Sequence, residues 1–148
     1  METPNDLRAK FAAIATALDC SFEYGNSERI LNRQSSQLTY PLIWLEVPDI
    51  RMARSGGLKR VFASAFTVLS NAEIDDYTGQ DAALDLTFLI TENVIKHLSL
   101  GADGGEFEFA PERCQSQYKG KWSADDDWGW RTEFDLTGVA CENLDCDC

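Results

Sequence analysis

Three of the chain's five cysteines, Cys141, Cys146 and Cys148, fall in its last eight residues, interleaved with Glu142, Asp145 and Asp147. Thiolates beside carboxylates are a donor set for a soft or borderline metal ion. The spacing C-x4-C-x-C is not a usual zinc pattern, and the one histidine, His97, is far away in sequence. Cys20 and Cys114 stand alone. An odd cysteine count, with no basic-then-apolar N-terminal segment of the secretory type, points to reduced thiols rather than a disulfide framework. Acid–base work or magnesium binding would use adjacent carboxylates. Asp75 with Asp76, and Asp125 with Asp126 and Asp127, offer them, but both groups sit among polar neighbours, where charge runs are solvated turns. His97, beside Lys96 near the end of a predicted helix, reads as a cation or hydrogen-bonding group at a helix C-terminus. No G-x-S-x-G, P-loop or G-x-G-x-x-G sequence occurs. The expectation is a chain that is not an enzyme and has no cofactor. A metal-binding or redox-sensing module built on Cys141, Cys146 and Cys148 is the alternative, and an enzyme with an acidic active site ranks behind it.

Charge narrows the choice of partner. The 148 residues carry 13 Lys and Arg against 25 Asp and Glu, a net charge of −12. That balance disfavours general nucleic-acid binding, which needs local Lys and Arg for phosphate, and docking on anionic lipid. No apolar run approaches the ~20 residues of a membrane-spanning helix. The distribution is uneven: residues 103–148 carry 12 acids and 4 bases, whereas residues 50–72 contain Arg51, Arg54, Lys59 and Arg60 and no acid. A basic hairpin loop on an acidic chain suits head-to-tail contact between copies, each loop on a neighbour's acidic C-terminal half. Such a heterologous contact closes into a ring when its rotation allows. An ordinary exposed loop with scattered arginines and a local contact with DNA phosphates are the other readings. Trp122 and Trp128 join the four basic residues as candidate contact residues, because tryptophan is enriched at interfaces. Trp130 reads as core.

The elements that position these residues follow from periodicity. Residues 3–19 form an amphipathic helix on Leu7, Phe11, Ile14 and Leu18, with Thr3 as cap, Pro4 at the first helical position and Asp6 at the capping-box offset. Residues 22–24 read as a short strand, and Ser27 as the cap of a short helical turn over 28–33. Residues 42–47 and 58–70 read as strands, with 51–60 a loop around Ser55, Gly56 and Gly57; together they make a hairpin. Both faces of the second strand are apolar, which predicts a central position. Thr78 and Asp81 predict a capped helix over 79–98, with Leu84, Phe88, Thr91, Ile95 and Leu98 as its central stripe, flanked by Leu86, Leu89, Ile90 and Val94 in a wide apolar arc, and Gly101 as its stop. Residues 107–110 and 115–122 read as strand, and 128–136 alternate as a half-buried antiparallel strand. The predicted fold is α+β: a mostly antiparallel sheet with an N-terminal helix and one long helix packed on one face, over residues 1–140, followed by an acidic Cys-rich tail at 141–148.

The ordered features resemble a family. The N-terminal helix comes first, then Tyr40-Pro41-Leu42-Ile43-Trp44-Leu45-Glu46 and the arginine- and glycine-bearing hairpin. Asp85 follows within an amphipathic helix. The closing strand Trp128-Gly129-Trp130-Arg131-Thr132-Glu133-Phe134-Asp135-Leu136 completes a sequence similar to bacteriophage and prophage tail terminator proteins, also called tail completion or head–tail joining proteins. The likeness covers residues 3–137 in element order and excludes the cysteine tail. Other phage neck and head-completion proteins share this small α+β shape. The resemblance implies a structural virion component in the tail or neck, assembled in the host bacterial cytoplasm. It implies a ring homo-oligomer, often a hexamer, that caps the tail tube protein and presents a surface to the head connector or neck protein. DNA would meet it only by passing through a lumen, whose acidic lining would repel it.

Overall fold

In a computed structural model of the chain, residues 1, 3–26, 39–54, 57–120 and 127–139 are described. Helix α1 spans Pro4–Ala17, with the expected capping box: Thr3 Oγ1 accepts from the Asp6 N–H (3.3 Å), and Asp6 accepts from the Thr3 N–H (2.8 Å). Strand β1 (Ser21–Tyr24) pairs in parallel with β2 (Leu42–Leu45). Strand β3 (Asp49–Arg54) pairs with the first half of β4 (Leu58–Asn71), and β2 with its second half, both antiparallel. Helix α2 spans Tyr77–Asp103 and a 3-10 turn Pro111–Arg113. Strands β5 (Gln115–Gly120) and β6 (Asp127–Val139) complete a six-stranded sheet in the order β1-β2-β4-β6-β5. This is the expected α+β architecture, with β4 central. The short helical turn predicted after Ser27 lies outside the described residues.

Register explains how β4 accepts two partners. The Glu46 N–H bonds the Ala65 carbonyl (3.0 Å), in step with β2, while Asp49 already pairs with Ala63. Val47 and Pro48 therefore stand opposite Ser64 alone, a β-bulge, and the Ser64 hydroxyl donates to the Glu46 carbonyl (2.7 Å). The region 51–60, predicted as loop, is instead largely strand. The long β4 supplies an unpaired edge, and residues 49–54 take it up once the bulge has absorbed the proline, which has no N–H to give.

Both helices lie over one face. Phe62, Phe66 and Val68 of β4 and Phe134 and Leu136 of β6 meet Leu7, Phe11 and Ile14 of α1 and Ile90, Val94 and Leu98 of α2. At the centre Phe11 contacts Phe66 and Phe134, with ring centroids 5.6 and 5.3 Å apart. Helix α2 differs from its prediction. It starts earlier, capped by Asp76, whose carboxylate accepts from the Gly79 N–H (3.0 Å) and suits the positive end of the helix dipole. It runs past Gly101, which is buried inside it because a Cβ there would press on the Phe107 ring. His97 is therefore more than a turn from the helix end, too far inside to serve its terminus. The buried stripe is Ala83, Thr87, Ile90, Thr91, Val94, Leu98 and Gly101, rotated from the predicted one. Leu86, Phe88 and Leu89 are left exposed.

Two aromatic N–H groups tie the sheet to its surroundings: Trp128 donates to the Ala72 carbonyl (2.9 Å) and Trp130 to the Leu84 carbonyl (3.0 Å). Asp127, predicted to lie in a solvated turn, is fully buried at the start of β6 and accepts from the Tyr40 hydroxyl (3.3 Å). A buried carboxylate needs such partners, and strand pairing with Asn71 carries it inside. Asp125 and Asp126 lie outside the described residues.

Candidate functional site

The hairpin β3–β4 sorts its basic residues by face. A three-residue connection sets Arg54 opposite Leu58, Met52 opposite Arg60, Ala53 opposite Lys59 and Arg51 opposite Val61. Side chains alternate across a strand, so Arg51 and Lys59 share one face and Arg54 and Arg60 share the other. The first pair turns to the sheet face away from the helices. There Lys59 Nζ meets Glu108 Oε1 (2.6 Å) and Arg51 meets Asp135 (3.5 Å). These exposed pairs each contribute at most ~1 kcal/mol, yet they direct half of the basic cluster onto the chain's own acidic half.

The second pair lies among exposed apolar side chains. On the helix-side face of the hairpin, beyond the reach of α1 and α2, Ile50 is 47% exposed, Met52 53% and Leu58 44%. Large apolar side chains clustered in this way on a ribbon of two strands mark an interaction surface. The alternation that places Arg54 and Arg60 with them was present in the sequence, but becomes legible only once the turn length fixes the register.

At the base of the hairpin, the helix-free face carries a polar concavity of about 350 Å³ lined by Glu46, Asp49, Arg113, Arg131, Glu133 and Asp135 among others. Arg131 binds Glu46 through two nitrogens (2.8 and 3.2 Å) and Glu133 through a third (2.8 Å). Hydrogen bonding to Glu46 above all, with a smaller contribution from Glu133 and against the opposing effect of burial, holds the guanidinium protonated beyond its usual range. The fork braces β2 against β6 across β4, as bidentate pairs do. Among the described residues, no group of three or more His, Cys, Asp or Glu is arranged to hold a metal ion.

Trp128 is 9% exposed and serves the interior. Trp122, Cys141, Cys146 and Cys148 lie outside the described residues. No helix among the described residues is long and apolar enough to cross a membrane. Cys114 is half-buried; burial first, then Asp135 and Glu112, pushes its thiol up to about 11 from the ordinary 9.0. A folded-state value raised in this way favours folding fully below pH 9, and the contribution is lost as pH rises to about 11. Alkylation of Cys114 by iodoacetamide at pH 8, resolved by mass spectrometry, should run about a hundredfold slower than in urea-unfolded chain, since the thiolate is the nucleophile. Its rate should keep climbing beyond pH 9; a plateau there would contradict the assignment.

Compared with protein-family models and with curated proteins, the sequence matches none.

Proposed function

We propose that this chain is a structural assembly component of the tail-terminator type. In this reading it closes into a homo-oligomeric ring on the end of a phage or prophage tail tube and presents the head connector with a docking surface. The observation that carries the reading is the exposed apolar and basic face of the β3–β4 hairpin, on a chain whose net charge is −12. A ribbon of this kind is poorly suited to solitary life in water and well suited to repeated contact with an acidic neighbour. The order of elements adds support: a capped N-terminal helix, a basic hairpin, a long helix, then a closing strand bearing Arg131, Phe134 and Leu136. In a closed ring each subunit is held by two neighbours, so a contact that is weak alone becomes durable through effective concentration.

The test is electron microscopy of the concentrated full chain, alone and mixed with purified phage tail tubes. Closed rings with a central opening, seated on one tube end, are the expected images. Scattered single subunits that leave both tube ends bare would overturn the reading.

A further inference from the structure

The intrachain pairs Lys59–Glu108 and Arg51–Asp135 change where a neighbour can bind. The acidic C-terminal half, expected from sequence to receive another copy's basic loop, already receives this chain's own. The face that these pairs leave uncovered on the hairpin carries Ile50, Met52, Arg54 and Leu58. Its complement must be apolar, acidic, exposed and of similar length.

Helix α2 presents such a surface. Its solvent side in the N-terminal half carries Asp81, Asp85 and Glu92 in one row, at steps of four and seven residues. Ala82, Leu86 and Leu89 form the row beside it, at steps of four and three. These spacings stack residues along one side of a helix. Leu86, 45% exposed, borders the stripe that packs on the sheet, and Leu89, 57% exposed, lies further round toward solvent. Among the described residues no ion pair engages Asp81, Asp85 or Glu92. From Asp81 to Glu92 the row runs about 16 Å at 1.5 Å per residue. From Ile50 to Arg54 the hairpin arm runs about 13 Å at 3.3 Å per residue. The surfaces match in length, in apolar content and in opposite charge. They also lie on different parts of the subunit, which makes the contact heterologous.

We infer that the occupant of the hairpin's helix-side face is a second copy of this chain, bound through the Asp81–Glu92 side of its α2. Leu86 and Leu89 pack against Met52 and Leu58, and Arg54 meets Asp85. The inference rests on the ring reading above and specifies its interface.

Two surface variants test it by mixing. Met52→Glu with Arg54→Glu removes the hairpin surface and keeps the helix surface. Leu86→Glu with Leu89→Glu does the converse, and because both altered surfaces are then acidic they repel one another. All four positions are exposed, and circular dichroism with thermal unfolding establishes that each variant folds. Sedimentation of the wild-type full chain should show self-association. Each variant alone should associate at least about tenfold more weakly, a difference of about 1.4 kcal/mol. Mixed, the two variants should give a heterodimer of one copy each and nothing larger, because only one productive pair of surfaces remains. Combining Arg54→Glu and Asp85→Lys in one chain should restore association with the charges exchanged. Variants that assemble as wild type does, or a mixture that stays monomeric while wild type assembles, would overturn this pairing and leave the ring reading standing. A wild-type chain that stays monomeric at every concentration would overturn both.

Discussion

Replacing Phe11 with alanine should destabilise the fold by about 4 kcal/mol, the middle of the range for deleting a buried ring. Phe11 has no solvent exposure, and its ring lies against Phe66 and Phe134, which are themselves 5.8 Å apart. It is the point at which α1 locks onto β4 and β6 together, so the cavity left behind is lined by three elements that cannot all close in on it. For a chain of this size the loss should lower the melting temperature by about 10 °C. Phe88→Ala supplies the comparison. Phe88 is 43% exposed and meets Trp130 edge-on at 5.9 Å, so its removal should cost about 1 kcal/mol. Equal losses at the two positions, measured by thermal unfolding, would refute the placement of the core.

Gly129→Ala should cost about 3 kcal/mol for the opposite reason, too much matter rather than too little. Gly129 faces Leu69 in the central pairing of β4 with β6. A Cβ there would run into the carbonyl oxygen of Val68 and stand 3.1 Å from the Leu69 Cα. Those are backbone atoms of the best-held strand in the sheet, with no rotamer to relieve the contact, so the ladder itself must move. The urea midpoint should fall with little change in the slope of the transition. A loss below about 0.5 kcal/mol, the range of an ordinary surface change, would mean that the two strands do not approach so closely.

The elements most legible in the sequence were those with strong local signals. Thr3, Pro4 and Asp6 announce the start of α1, and Leu7, Phe11 and Ile14 its buried side. The two apolar faces of β4 announce a central strand, and the alternation from Trp128 to Leu136 announces β6. Long-range pairing decided what was misread. Residues 51–60 look like loop because arginines and glycines dominate them, yet β4 is long enough to hold residues 49–54 as a strand. The parallel pairing of β1 with β2 has no local signature, since residues 26–41 intervene. The buried stripe of α2 was placed about one residue out of phase. Its apolar side chains extend well round the helix, and the sequence cannot say which of them the sheet will cover. That misplacement matters functionally, because Phe88 from the predicted stripe and Leu86 and Leu89 from its flank are left exposed.

The candidate site was half legible. Arg51, Arg54, Lys59 and Arg60 stand out by charge in an acid-free stretch, but charge alone treats them as one cluster. The strand period divides them, and the division becomes visible only with the hairpin register in hand. Lys59 and Arg51 then belong to the subunit's own ion pairs, and Arg54 and Arg60 to the apolar face. Ile50, Met52 and Leu58 were missed because three apolar residues scattered among arginines carry no periodic signal that reveals their exposure.

The most direct test of the account is the mass of the wild-type full chain in solution as its concentration is raised into the millimolar range. The account requires passage from single subunits to one discrete closed multiple, weakened by added salt because the Arg54–Asp85 contact contributes to it. A single-subunit mass at every concentration, indifferent to salt, would contradict the claim that the hairpin is an assembly surface.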